Sequence, residues 1–364
     1  MGFLMEGPPG PETILDGRAV LYFGGTGYFG LHGHPEVIRA GIDAFRWGTH
    51  GATTRAGFGN NPVLLDLERK IAGFFGTEDA VAYPSGYMSG LFLARTAEDS
   101  WDAAFVDEDA HFSLKDGIAA AGKPVVFYRH RDPDDLEAKI AARPSVEGRF
   151  LALTDGVFPA LGELAPLPAL LGVVERHGGR LAVDDSHGVG VLGPCGRGTL
   201  DHFGFAPGGS ILMAGTLSKA FGGHGGFLPL PAGLADRVRA EVGAYAGSTP
   251  TPTPIAAASA KGIELLSAHP EWRDSLRSNA HRLKTGLRAL GLPVDDSPVP
   301  IAAWPLAPAT EMKRVQAALL ERGIALALLA YAGAPAGGIL RATVFSSHTS
   351  AHIDRLLGAL KRVL

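Results

Sequence analysis

Leu181-Ala182-Val183-Asp184-Asp185-Ser186-His187-Gly188 is an apolar run ending in acid and imidazole, and Met213-Ala214-Gly215-Thr216-Leu217-Ser218-Lys219 is a second run that delivers a lysine. Each reads as a short buried strand followed at once by polar groups. In a parallel sheet the C-terminal ends of strands open into the ligand crevice, so both segments present side chains at one rim. Working outward, further strands are expected at 80–83, 104–106, 125–128 and 150–154, with helical stretches between most of them. Asn61-Pro62 supplies a helix cap and a proline at the first helical position. It opens a helix over 63–75 whose face carries Leu64, Leu67, Ile71 and Phe74, with Gly76 at its end. Strands alternating with helices predict an α/β fold with a mainly parallel sheet.

The composition changes at Gly247-Ser248-Thr249-Pro250-Thr251-Pro252-Thr253-Pro254, a stretch that suits neither helix nor central strand. Beyond it a long helical pattern from 255 to about 290 precedes strands near 300–304, 324–329 and 339–345, and a last amphipathic helix over 351–364. The expected organisation is an N-terminal arm (1–45), a large domain (46–255) and a smaller C-terminal α+β domain (256–364). With 364 residues, 46% hydrophobic and 19% charged, the chain is no disordered or low-complexity protein. A net charge of -4 without runs of either sign gives no nucleic-acid footprint. The single Cys195 excludes an internal disulfide framework and fits a reducing compartment. No apolar stretch approaches the roughly 18 residues of a membrane span. Met1-Gly2-Phe3-Leu4-Met5-Glu6 carries neither a basic secretory leader nor a myristoylation signal. A cytoplasmic protein is expected.

Gly25-Thr26-Gly27-Tyr28-Phe29-Gly30 is a literal G-x-G-x-x-G. A dinucleotide site needs a helix to open there, and Leu31-His32-Gly33-His34-Pro35 does not propagate one. His32 and His34 have no third ligand at metal spacing, so no metal site is expected. The two rim segments are more telling. A carboxylate, a histidine and a lysine at one rim suit pyridoxal 5'-phosphate (PLP): the lysine carries the cofactor and the carboxylate keeps its pyridine nitrogen protonated. Ser85-Gly86-Tyr87, at a strand-to-helix turn, offers backbone N–H groups to the phosphate, and Thr216 offers a hydroxyl.

These segments, in this order, resemble the α-oxoamine synthase family of PLP-dependent fold type I enzymes. The likeness runs from about Tyr28 to Leu357. It rests on Tyr28-Phe29-Gly30-Leu31 with His34-Pro35-Glu36-Val37, on Asp184 and His187 spaced as D-x-x-H, and on Gly215-Thr216-Leu217-Ser218-Lys219. Gly193-Pro194-Cys195-Gly196-Arg197-Gly198 and Gly225-Gly226-Phe227 follow the family pattern as well. The resemblance implies a large domain with a mainly parallel central sheet plus the smaller C-terminal domain, in a homodimer with shared active sites. It implies that Lys219 carries PLP, that His111 stacks on the pyridine face, and that Asp184 and His187 hold the ring nitrogen and 3'-hydroxyl. Ser248 and Thr249 would reach a neighbouring subunit's phosphate, and Arg341 would grip the substrate carboxylate. The implied reaction is a decarboxylative condensation of an amino acid with an acyl thioester, without nucleic-acid or membrane partners.

Three departures surround the substrate. Thr26 and Gly27 stand where the family usually has Asn, Pro159 stands where it has Ser, and Phe58-Gly59-Asn60-Asn61 replaces S-G-T-H. Transamination or Cα–Cβ cleavage on the same site remains the alternative, and a non-catalytic partner subunit a further one. Strand alternation turns Asp185 away from Asp184, so an outward-facing, non-catalytic Asp185 is expected. Thr53-Thr54-Arg55 reads equally as a helix cap or as part of a neighbour's site.

Overall fold

The computed structural model describes residues 2–364. Its first strands, β1 (Glu12–Leu15) and β2 (Arg18–Phe23), form a hairpin. The two-residue turn Asp16-Gly17 has φ of 48° and 74°, the left-handed pair that matches the twist of flanking strands. These strands leave little mark in the sequence, since β1 is four residues long and buries only Thr13 and Leu15. The helix Pro62–Phe75 follows as its cap predicts, with Asn61 Oδ1 accepting from the Val63 and Leu64 N–H groups at 3.1 and 3.0 Å. Gly76, at φ 71°, ends it.

Next along the chain come β3 (Asp79–Tyr83), β4 (Ala103–Asp107), β5 (Val125–Tyr128) and β6 (Phe150–Asp155). A short hairpin of β7 (Val157–Phe158) and β8 (Glu163–Leu164) precedes β9 (Arg180–Asp184), β10 (Ile211–Thr216) and β11 (Gly226–Leu230). Seven of these make one sheet in the order β3-β11-β10-β9-β6-β4-β5, in which β11 alone runs against its neighbours. Both faces are covered. Phe105, Phe150 and Ala152 pack on one side, and Ala104, Val106, Leu151 and Leu153 on the other. Burial on two faces is why these strands read as unbroken apolar runs. Gly226 and Pro229 hide β11 from such a reading. The proline is tolerated because β11 pairs with β10 only at Phe227 and Gly226, leaving β3 as its neighbour at Pro229.

The second sheet adds β12 (Ile301–Trp304), β13 (Ile324–Leu329) and β14 (Ile339–Thr343) in the order β1-β2-β13-β14-β12. Residues 12–23 are thus built into the sheet of the C-terminal region, with β2 parallel to β13 and Leu21 opposite Ile324. The helical pattern over 255–290 is two helices, Thr253–Ala268 and Glu271–Ala289. His269-Pro270 separates them, since a proline inside a helix removes a hydrogen bond and clashes with the preceding turn. The first begins at Thr253 with Pro254 in its opening turn, so the end of the proline-rich stretch is helical after all. The last helix is Ser350–Val363, capped by Thr349 and His352. Among the described residues no helix is long and apolar enough to cross a membrane.

Candidate active site

The C-terminal ends of β6, β9 and β10 meet at one rim. Register sets Asp155 opposite Asp184, and Asp184 opposite Ala214, so the two carboxylates sit on adjacent strands roughly 4.8 Å apart along the hydrogen-bonding direction. Beside them opens a cavity of ≈ 310 Å³. Ser85, Gly86, Tyr87, His111, Asp184, His187, Thr216 and Lys219 line it from the large sheet. Arg341 on β14 lines it from the smaller sheet, and Thr26, just after β2, completes that side. Ser248 and Thr249 lie elsewhere: the Ser248 hydroxyl donates to the Ala244 carbonyl at 2.6 Å, and Thr249 is exposed.

Lys219 is half-buried, and its ammonium is pushed down to about 8. Desolvation is the main cause and the Arg341 charge adds to it, while Asp184 and Asp155 oppose. Asp155 is driven well above the usual carboxylate range by burial and by its neighbour Asp184. Asp184 Oδ1 accepts from the Ser186 N–H at 3.0 Å. His187 is held well below its usual range by burial, then by the charges of Lys219 and Arg341, and is therefore neutral. Its Nδ1 is hydrogen-bonded to the Tyr28 hydroxyl at 2.7 Å.

His111 caps the helix Phe112–Ala119. Its own N–H donates to Asp155 Oδ2 at 2.7 Å, and its Nδ1 accepts from the Ser113 N–H at 3.1 Å. The ring Nε2 lies 2.6 Å from the Tyr331 hydroxyl. Arg341 is buried without a carboxylate partner: Nε has no hydrogen bond, and Nη2 makes one long contact, 3.4 Å to the Gly25 carbonyl. Buried charges are normally paired, so a bare guanidinium at a cavity wall marks a place for an anion.

Two expectations change. Asp185 does face away from Asp184, but it is wholly buried rather than outward-facing. Its Oδ2 accepts from the Thr199 N–H at 2.6 Å. A Cβ at Gly188 or Gly198 would fall 2.1 or 1.9 Å from its oxygens, so glycines make its pocket. Burial pushes this carboxyl up to about 8. Arg55 belongs to the chain's own framework, its Nη2 bonding Glu68 Oε2 at 2.9 Å and its Nε bonding Asn60 Oδ1 at 2.8 Å.

The hairpin β7–β8 carries Pro159 to the cavity wall, and His130 clasps it. His130 Nδ1 meets Asp107 Oδ1 at 2.9 Å, and Nε2 meets Glu163 Oε2 at 3.2 Å. Burial alone would lower this imidazole, yet the hydrogen bonds and charges of Asp107 and Glu163 raise it to about 9. A folded-state value above the unfolded one of about 6.5 means stability that is complete at lower pH and lost as pH rises through 9. His130→Ala is therefore expected to lower the denaturant midpoint more at pH 6.5 than at pH 10. Equal losses at both would show that the imidazole is neutral in the clasp.

The family model for aminotransferase class I and II matches residues 25–360. The 8-amino-7-oxononanoate synthase of Thioalkalivibrio sulfidiphilus is 35% identical over 99% of this chain and 92% of its own. That of Pseudomonas putida strain KT2440 is 34% identical over 98% and 91%. A serine palmitoyltransferase of S. paucimobilis with bound PLP and myriocin superposes with a TM-score of 0.92 at 28% identity, covering 100% of this chain and 92% of that one. The chain belongs to the α-oxoamine synthase family. It has the fold type I architecture and is a PLP-dependent transferase.

The cavity of this α-oxoamine synthase fits that cofactor. A Cβ at Gly86 would fall 2.6 Å from Thr216 Oγ1, so only glycine lets the Ser85–Tyr87 turn close on β10 where a phosphate needs backbone donors. Asp184 suits a pyridinium, and Lys219 supplies an amine already poised to lose its proton. Six further wall residues escape a reading of the sequence. Asp155, Ser113, Ser186, Leu329 and Tyr331 are not singled out by it, and Ser218 is masked by the lysine beside it. The apolar run before Asp155 was the one available signal, since it ends in acid as the run before Asp184 does.

Proposed function

We propose that this chain condenses a small α-amino acid with an acyl thioester. A C–C bond forms between Cα, once its proton is removed, and the acyl carbon; the thioester C–S bond breaks and the departing thiolate takes up a proton from water. The carboxyl group then leaves as carbon dioxide, and Cα takes a proton back in its place. The observation that carries this reading is Arg341, a buried guanidinium without a carboxylate of its own, across the cavity from Lys219. PLP, when bound, supplies the electron sink that makes the Cα proton acidic. Arg341 binds the amino-acid carboxylate through paired charge-assisted hydrogen bonds. Lys219, lowered to about 8, takes the Cα proton at near-neutral pH. With PLP bound, Asp184 would hold the proton on the pyridine nitrogen, neutral His187 would hydrogen-bond the ring hydroxyl, and His111 would cover the ring face. Ser85, Gly86, Tyr87 and Thr216 hold the phosphate, and Thr26 borders the substrate.

A homodimer, with Ser248 and Thr249 completing the neighbour's phosphate site, is part of the proposal. The helix Pro35–Ala44 and the turn after it leave Ile38, Ile42, Phe45 and Trp47 44–57% exposed on one side. Pro252, Pro254 and Ile255 border the same apolar groove, which links this surface to the segment bearing Ser248 and Thr249. A contiguous apolar patch of this kind calls for a partner, and a second copy is the commonest one. The domain division at 46 and 256 and a cytoplasmic location, which suits the unpaired Cys195, complete the reading.

The test is a panel of amino acids given to the PLP-loaded enzyme with and without acyl-CoA thioesters. Carbon dioxide and free thiol released in equal amounts, and only with both substrates, are expected. A 2-oxo acid formed from the amino acid alone would replace condensation with transamination.

A further inference from the structure

Tyr331 lies on the loop 330–338 between β13 and β14 and reaches across the cavity mouth to His111. Its ring packs edge-on against Phe112, with centroids 5.5 Å apart, and lies 5.7 Å from the His111 ring. The hydrogen bond to His111 has a defined direction. The Ser113 N–H can only donate, so His111 Nδ1 accepts from it at 3.1 Å, and the Ser113 hydroxyl, 2.6 Å from the same nitrogen, must donate to it as well. Burial holds the imidazole below its usual range, so it is neutral and carries its one proton on Nε2. Nε2–H therefore donates to Tyr331 Oη at 2.6 Å. Burial, reinforced by Asp155, raises the phenol and keeps its hydroxyl protonated. That hydrogen has no acceptor among the described residues, and both Tyr331 and Arg341 line the cavity. Two kinds of donor, one of them cationic, thus face one space without a protein acceptor.

We infer that Tyr331 is a substrate-binding residue whose hydroxyl, oriented by His111 Nε2–H, donates to the amino-acid carboxylate alongside Arg341. The inference rests on the amino-acid reading above but not on the thioester step. It also gives His111 a second task, since the same ring that covers the cofactor fixes the direction of the Tyr331 hydrogen. Thr26, at the position where the family usually offers an amide, leaves room for such a helper.

Tyr331→Phe keeps the ring contacts and removes only the hydroxyl. Calorimetric titration of the PLP-loaded enzyme with glycine, L-alanine and L-serine, and with methylamine, ethylamine and ethanolamine, separates the outcomes. The variant should bind the amino acids roughly tenfold more weakly, the scale of one hydrogen bond to a charged group, with unchanged affinity for the amines. Its melting temperature should stay at the wild-type value. Unchanged amino-acid affinity, or an equal loss for amines that have no carboxylate, would overturn the assignment. A defect confined to the KM for the thioester would also overturn it, by moving the hydroxyl to the acyl carbonyl. An enzyme that transaminates instead of condensing would fail the functional reading while leaving the contrast between amino acids and amines intact.

Discussion

Lys219→Ala is expected to lower turnover by about 10³-fold or more while the protein still retains PLP, because the amine is a proton carrier and the phosphate and ring contacts come from other residues. Lys219 follows directly on β10, whose end is fixed between β9 and β11. Desolvation by the cavity wall lowers the amine to about 8, close enough to neutrality for an uncharged fraction to exist at working pH. Alanine removes that base without disturbing Asp184, His187 or the Ser85–Tyr87 turn. Borohydride treatment followed by peptide mapping should find the cofactor fixed to Lys219 in the wild-type protein and no fixed cofactor in the variant. Label on a different peptide, or full turnover by the variant, would remove Lys219 from the chemistry.

The second large effect separates two adjacent carboxylates. Asp184→Asn should reduce turnover by roughly 100-fold with little change in melting temperature, since a neutral amide cannot stabilise a proton on the pyridine nitrogen. Asp185→Asn should be mild. This carboxyl is pushed up to about 8, and an amide oxygen can still accept from the Thr199 N–H. Asp185→Ala leaves that N–H unpaired in a dry site, an expected cost of about 1–3 kcal/mol in stability rather than in catalysis. Activity per folded molecule and melting temperature, measured on all three variants, decide the matter. Equal catalytic losses in Asp184→Asn and Asp185→Asn would mean that both side chains serve the cofactor.

The contrast also shows what a sequence can reveal here. Lys219, Asp184 and His187 were legible because each follows an apolar run, and a strand buried on two faces announces its own end. The face on which Asp185 lies was legible from alternation, but its burial was not, because the glycines that enclose it come from 156, 188 and 198. Asp155 was passed over for want of register: only the pairing of β6 with β9 sets it opposite Asp184. Tyr331 sits in a loop of small residues, and its meeting with His111 spans 220 positions of chain. The strand β1 was lost to its shortness, and β11 to its proline.

The parallel pairing of β2 with β13 has a consequence for the order of events during synthesis. The hairpin gives β2 one neighbour at once, but Leu21 must wait for Ile324, about 300 residues later, before its strand finds the second, and such distant pairings form slowly. The seven strands of the larger sheet all lie between Asp79 and Leu230, so that sheet can assemble on the ribosome while the residues after it are still unmade. Lys219 and Asp184 are then in place before Arg341 and Tyr331 have been translated. On the roles proposed above, the nascent protein acquires the means to hold its cofactor first and the means to select a substrate last.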